Sequence, residues 1–198
     1  IMKTKTINYH FNSGIKLESG ESLSAFDLVV ETYGELNADK SNAVLVCHAF
    51  SGSHNAAGEL NNDGKLGWWD EIVGPGKAID TNKFFVVSPN NLGSCFGSTG
   101  PTSICPQTKE IYGKDFPDIS VLDWVNSQEM LLNKLGISSW ACVLGGSLGG
   151  MQALQWAITY PDKIKRAGII AAAAKASSQN IALNEVGRES IRKDMNFY

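Results

Sequence analysis

Four short apolar runs, each followed by a turn rich in glycine, asparagine or serine, constrain the fold of this chain more than any other feature. They are Ala43–Cys47, Phe84–Val87, Trp140–Leu144 and Ala167–Ala171. Their apolar residues are continuous and do not alternate with polar ones, which is typical of strands covered on both faces. The sequence therefore predicts an α/β fold with a mostly parallel sheet flanked by helices.

Local signals predict the elements between these runs. Ser120 and Asp123 form a capping-box pattern that begins a helix, and Gly136 is expected to end it. A second helix is predicted over 148–160, where Pro161 stops it. The looser alternation from Thr6 to Tyr33 favours a leading antiparallel hairpin. With no repeat and no linker-like segment in the 198 residues, most of the chain is predicted to form one domain.

Composition narrows the classes of partner and the compartment. A formal net charge of −3 gives no general attraction to nucleic acid or to acidic membranes. The longest apolar run, Ala167–Ala174, is far shorter than the roughly 20 residues of a membrane span, and the polar N-terminal residues do not resemble a secretory signal. Cys47, Cys95, Cys105 and Cys142 form no C-x-x-C pair, so we expect reduced thiols in a cytoplasmic protein and no bound metal.

The stretch from Gly145 to Gly150 carries the main chemical signal. Its Gly145-x-Ser147-x-Gly149 pattern matches G-x-S-x-G and lies between a predicted strand and a predicted helix. In a nucleophile elbow this turn exposes a serine hydroxyl, and the small flanking residues let the strand and the helix approach closely. A packing turn or a phosphate loop is the alternative, but the usual phosphate-loop spacings are absent. Ser147 is therefore predicted to be a nucleophile.

An oxyanion hole is predicted next to this serine. The backbone N–H groups of Phe50, in the loop after the first strong strand, and of Leu148, at the helix N-terminus, are its candidate donors. His48 and His54 lie in or near the same loop. Their position in the chain is wrong for a catalytic base, so we expect histidines here to order the turn by hydrogen bonding.

Several motifs taken together resemble homoserine O-acetyltransferases of the α/β-hydrolase superfamily, over nearly the whole chain. Homoserine O-succinyltransferases and serine O-acyltransferases share much of the same pattern. The motifs are Gly67-Trp68-Trp69-Asp70, Gly74-Pro75-Gly76-Lys77, Asn90-Asn91-Leu92-Gly93, Cys95-Phe96-Gly97-Ser98-Thr99-Gly100-Pro101, Tyr112-Gly113-Lys114-Asp115-Phe116-Pro117, Gly145 to Trp156 and Gln179-Asn180-Ile181-Ala182.

The resemblance implies a cytoplasmic, often homodimeric enzyme of methionine biosynthesis that transfers an acetyl group from acetyl-CoA to the hydroxyl of L-homoserine. Ser147 would carry the acyl group between two half-reactions, with no bound cofactor and acetyl-CoA as co-substrate. Residues 67–77 and 90–101 are expected to form loops around the mouth of the site. Which residues bind acetyl-CoA is left open, and the sequence does not decide between acetyl and succinyl donors.

The chain has no histidine after His54, whereas α/β-hydrolases place the acid and then the histidine of the triad after the serine. We therefore expect an N-terminal portion of a longer enzyme, truncated before the last strands and inactive alone. Residues 1–178 would form the hydrolase core and residues 179–198 the start of a helical lid, on which Arg188 is expected to be an exposed helix residue. The alternatives are an esterase of the same fold and a non-catalytic module.

Overall fold

A mixed sheet organises the computed structural model, which describes residues 2–60 and 64–196. Its strands lie side by side in the order β1 (Thr4–Phe11), β2 (Phe26–Tyr33), β4 (Phe85–Pro89), β3 (Ala43–Cys47), β5 (Cys142–Gly146) and β6 (Ala167–Ile170). Strands β4, β3, β5 and β6 run parallel, whereas β2 is antiparallel to both β1 and β4. The mostly parallel sheet predicted from the apolar runs is confirmed.

The predicted leading hairpin is the β1–β2 pair, which is in register from Thr4 opposite Tyr33 to Phe11 opposite Phe26. Short pairs of two-residue strands lie in the loops between the main elements. They pair Ile15–Lys16 with Ser22–Leu23, Glu59–Leu60 with Lys65–Leu66, and Val73–Gly74 with Ile79–Asp80.

Three α-helices follow the predicted signals: α1 (Val121–Lys134), α2 (Leu148–Thr159) and α3 (Ser178–Arg192). The capping box of α1 is confirmed, since the Ser120 hydroxyl accepts from the Asp123 N–H at 3.2 Å and the Asp123 carboxylate accepts from the Ser120 N–H at 2.9 Å. Beyond α1, Gly136 takes a φ of 67° that favours glycine. Single 3₁₀ turns occupy Gly113–Asp115 and Pro161–Lys163.

Both faces of the central strands are covered, as the continuous apolar runs predict. One face packs against α1 and α2, and the other packs under Ala56, Ala57 and residues 68–79. Burying each large apolar side chain contributes about 1.5–3 kcal/mol, so the two clusters supply most of the driving force. The first cluster includes Leu45, Val87, Val143, Leu131, Leu132 and Trp156, and the second includes Val44, Val46, Val86, Ala56, Ala57, Val73 and Ile79.

The position expected for residues 67–77 is wrong. Trp69, Ile72 and Val73 of this segment pack on the second sheet face, and none of its residues lines the cleft described below. The physical reason is that this face of the sheet has no helix over it in the described part of the chain. The apolar side chains of the segment are therefore buried there, and Gly74 and Gly76 adopt positive φ angles in its turn.

The last strand and the last helix are the least covered elements. On β6, Ile169 and Ile170 are 42% and 46% exposed, because no described strand pairs with the outer edge of β6. No residue of α3 is buried, and Ile181, Leu183, Val186 and Ile191 are exposed. None of the helices in residues 2–60 and 64–196 has both the length and the apolar character needed to cross a membrane.

Candidate active site

Ser147 lies in a sharp turn between β5 and α2. Its backbone has φ 54° and ψ −121°, a left-handed conformation that is strained for any residue except glycine. The turn is held by hydrogen bonds from the Ser147 N–H to the Ile170 carbonyl at 3.0 Å and from the Met151 N–H to the Ser147 carbonyl at 3.1 Å. The residue is exposed, and its hydroxyl makes no hydrogen bond with any described residue. This strand, turn and helix have the geometry of a nucleophile elbow.

The glycines on either side of Ser147 are required by the close approach of the elbow to β3. A Cβ added at Gly149 would lie 2.0 Å from the backbone oxygen of Cys47. A Cβ added at Gly145 would lie 2.4 Å from the backbone carbon of Gly149. Neither position has room for a side chain, because the obstructing atoms belong to the backbone. The G-x-S-x-G pattern therefore has a steric cause in this fold.

The oxyanion loop, residues 47–52, follows β3 and lies against the elbow. Phe50 in this loop and Leu148 at the start of α2 line the same cleft of about 710 Å³. No described residue accepts a hydrogen bond from either backbone N–H. Leu148 directly follows Ser147, so these two unbonded donors border one cleft next to the elbow, as an oxyanion hole requires. The assignment of Phe50 and Leu148 to that hole stays a prediction.

His48 is buried and bonded through both ring nitrogens. Its Nδ1–H donates to the Ala49 carbonyl at 2.7 Å, and its Nε2 accepts from the Asn91 N–H at 3.0 Å. Burial lowers the pKa of His48, which favours the neutral ring that this bonding needs. His48 therefore joins the oxyanion loop to the loop after β4, in agreement with the ordering role expected from the sequence.

Neither remaining histidine serves the elbow. His54 is partly buried, its Nδ1 has no partner among the described residues, and burial lowers its pKa. His10 lies on the β1–β2 hairpin, where its ring bonds to Asp27 and Asn12. Among residues 2–60 and 64–196, no histidine therefore accepts a hydrogen bond from the Ser147 hydroxyl.

The walls of the cleft come from distant parts of the sequence. The loop at 91–96 borders the cleft, so the position expected for 90–101 is correct for this part. Residues 116–119 and Trp124 form another wall, and the Trp124 indole N–H donates to the Leu92 carbonyl at 2.8 Å. The motif at 112–117 carries no predicted role in the sequence, yet its Phe116 and Pro117 belong to this wall. Asp118 is the one charged residue among the described residues of the lining, which otherwise combines apolar side chains with His48, Ser51, Asn91 and Ser94.

Arg188 lies on α3, where its guanidinium pairs with Glu185 of the same helix through Nε at 2.8 Å. This is the exposed helix arginine that we expect from the sequence. That residues 179–198 begin a lid stays a prediction.

The elbow, the parallel sheet and the flanking helices define an α/β-hydrolase-type protein. A family model described as the alpha/beta hydrolase fold matches residues 42–191, and the chain belongs to that family.

Among curated proteins, the chain is 60% identical over 95% of its length to a homoserine O-succinyltransferase of Hahella chejuensis, covering 49% of that protein. It is 57% identical over 100% of its length to a homoserine O-succinyltransferase of Marinobacter nauticus, covering 52% of it. The chain therefore spans about half the length of the curated relatives it matches.

Solved structures give the same fold. A homoserine O-acetyltransferase from Bacillus anthracis superimposes with a TM-score of 0.84 at 37% identity, over 98% of this chain and 53% of that one. An esterase superimposes with a TM-score of 0.85 at 37% identity, over 100% of this chain and 55% of that one.

Proposed function

We propose that the protein containing this chain is a homoserine O-acyltransferase that uses Ser147 as its nucleophile. The observation that carries the proposal is the strained, exposed Ser147, followed directly by Leu148, whose unbonded N–H borders a largely apolar cleft together with that of Phe50. Homoserine is proposed as the molecule that accepts the acyl group because proteins 57–60% identical to this chain are homoserine acyltransferases.

In the first half-reaction, the Ser147 Oγ attacks the thioester carbonyl of the acyl-CoA. The N–H groups of Phe50 and Leu148 stabilise the oxyanion that forms, the C–S bond breaks, and the CoA thiol leaves. In the second, the hydroxyl of homoserine attacks the acyl-serine and Ser147 is regenerated. The proton of Ser147 needs a general base, and we propose that a histidine outside this chain supplies it.

For the donor we favour succinyl-CoA over the acetyl-CoA expected from the sequence. The two curated relatives described above, which are 57% and 60% identical to this chain, are succinyltransferases, whereas the homoserine O-acetyltransferase of known structure is 37% identical to it. Because acetyl and succinyl differ in length and charge, a modest change in the pocket can decide between them.

The test measures CoA release and acylhomoserine formation by the full-length protein with each donor, with and without homoserine. We expect faster transfer from succinyl-CoA, dependent on homoserine. Ser147→Ala should lower kcat by about 10⁴-fold or more. Ser138→Ala, a change at an exposed serine away from the cleft, should leave kcat unchanged. Full activity of Ser147→Ala would contradict the proposal.

The esterase superposition supports a second candidate, an acyl-ester hydrolase with the same elbow. Hydrolysis at a rate indifferent to homoserine would favour that candidate. Absence of any acyl-enzyme in the full-length protein would favour the non-catalytic module.

Two further expectations belong to this proposal. The 198-residue chain alone should release no CoA in a homoserine-dependent way, because no histidine follows Ser147 in it. The full-length protein should be a homodimer, which light scattering measures directly.

A further inference from the structure

A chain of buried amide side chains runs beneath the elbow. Gln152, on the second turn of α2, donates from Nε2 to the His48 carbonyl at 3.3 Å. Gln128 of α1 donates from Nε2 to the Gln152 Oε1 at 2.6 Å, and the Trp156 indole N–H donates to the Gln128 Oε1 at 2.8 Å. All four residues are buried, with Gln152 and Trp156 at 0% exposure. The proposed reaction steps use neither glutamine.

The chain of amides has a single direction. The Trp156 indole nitrogen can only donate, so the oxygen of Gln128 must face it. The amide nitrogen of Gln128 then faces Gln152, whose oxygen accepts, and the amide nitrogen of Gln152 is left pointing at the His48 carbonyl. Turning either amide over would set two donors against each other in a buried site, at a large cost. The orientation of Gln152 is therefore determined by residues on two helices.

The carbonyl that Gln152 holds belongs to the oxyanion loop. It lies one peptide group before the Ala49–Phe50 peptide, which carries the Phe50 N–H. The Ala49 carbonyl of that second peptide accepts from the His48 ring at 2.7 Å and from the Gly52 N–H at 3.0 Å. The direction of the Phe50 N–H thus depends on where His48 is held, and Gln152 holds the His48 backbone from the helix that begins after Ser147.

We propose that Gln152 is a positioning residue that couples the oxyanion loop to the nucleophile elbow, with Gln128 and Trp156 setting its orientation. The inference deepens the proposed function and rests on it, since it assumes that Phe50 and Ser147 act on one acyl group. It predicts that loss of the Gln152 donor slows acylation of Ser147 and leaves ester binding unchanged.

The test uses the full-length protein and p-nitrophenyl acetate, whose burst of p-nitrophenol reports acylation without homoserine. Gln152→Met should lower the acylation rate constant by about 10- to 100-fold with an unchanged binding constant for the ester. Gln155→Met is the matched control, because Gln155 lies on the same helix and bonds only to Thr159 among the described residues. Its acylation rate constant should stay within about two-fold of wild type.

Gln152→Glu separates positioning from simple support of the fold. A protonated carboxyl can donate to the His48 carbonyl and a carboxylate cannot, and burial raises the pKa of such a glutamate. The ratio of the acylation rate constant of Gln152→Glu to that of the wild type should therefore rise as the pH falls. The assay temperature is kept well below the Tm of both proteins, so that both stay folded. His48 and Cys47, the titratable groups beside the amide chain, are common to both proteins, and the wild-type pH profile records the part of their titration that the ratio removes.

A flat ratio, or a Gln152→Met variant that acylates as fast as Gln155→Met, would overturn the positioning role. A wild-type burst without any transfer to homoserine would count against the proposed acceptor alone. If the wild-type protein releases p-nitrophenol neither in a burst nor in the steady state, both proposals are refuted.

Discussion

Replacing Gly149 by alanine tests the packing of the elbow against β3. The new Cβ would lie 2.0 Å from the Cys47 backbone oxygen, whereas Cβ atoms in proteins keep at least 3.0 Å from such neighbours. The helix start and the end of β3 must therefore separate by about 1 Å, and overpacking of this kind costs about 1–3 kcal/mol. Since backbone meets backbone on both sides, we expect the upper end of that range.

Helix propensity acts in the opposite direction. Alanine is better than glycine inside a helix by about 1 kcal/mol, which leaves a net loss of about 2 kcal/mol in the free energy of unfolding for Gly149→Ala. A loss of this size lowers Tm by about 4–8 °C in a protein of 150–250 residues, and by less in a longer one. A misplacement of about 1 Å at the reacting atoms also slows acylation by about 100-fold.

Gly146→Ala is the matched control for stability, since a Cβ there meets no heavy atom within 4 Å. Calorimetry gives Tm for both full-length variants, and the p-nitrophenyl acetate burst gives the acylation rate of Gly149→Ala. If Gly149→Ala melts and acylates like wild type, or if Gly146→Ala loses as much stability, the steric reasoning is refuted.

Three further predictions concern stability, pH and thiol reactivity. Asp123→Ala should destabilise the protein by about 2 kcal/mol in urea unfolding, because the carboxylate accepts two backbone N–H bonds at 2.9 Å; a loss below about 0.5 kcal/mol would contradict this. Burial lowers the pKa of His48 in the folded protein. As the pH falls, His48 is therefore protonated in the unfolded chain before it is protonated in the folded chain. Stability should consequently fall as the pH drops below 6.5 towards the folded pKa, and an NMR titration of His48 at or above 6.5 would contradict this. Hydrogen bonds from Thr108 lower the pKa of Cys105 to about 7, so iodoacetamide should modify it faster than Cys95 at pH 7. Equal rates of iodoacetamide modification at Cys105 and Cys95, measured by mass spectrometry, would contradict the proposed effect of the Thr108 hydrogen bonds on Cys105.

Much of the fold was predictable because its signals are local. The apolar run Ala43–Cys47 coincides with β3, and the Ser120 capping box coincides with the start of α1. The strand, Gly-x-Ser-x-Gly turn and helix that surround Ser147 also lie within one short stretch of chain. Each of these features depends on backbone preferences and on burial over fewer than about 20 residues.

The walls of the site were less predictable. Residues 67–77 and 90–101 have similar glycine-rich compositions, yet the first packs on the sheet and only the second borders the cleft. A glycine-rich composition predicts turns in a segment, but it does not predict which surface of the protein the segment packs against. In the sequence, Trp124 is likewise an ordinary apolar residue of a predicted helix. Its indole N–H reaches the Leu92 carbonyl only when the helix packs against that loop in the folded chain.

By itself, the sequence determined the class of fold, the order of the central elements and the serine at the elbow, because periodicity, capping and glycine spacing act between near neighbours. The tertiary structure decided what surrounds that serine. Gln128 and Gln152 resemble ordinary polar helix residues in the sequence, and they become a buried chain only when α1, α2 and the oxyanion loop meet. Contacts between residues far apart in the chain have no local pattern, so only the assembled fold reveals them.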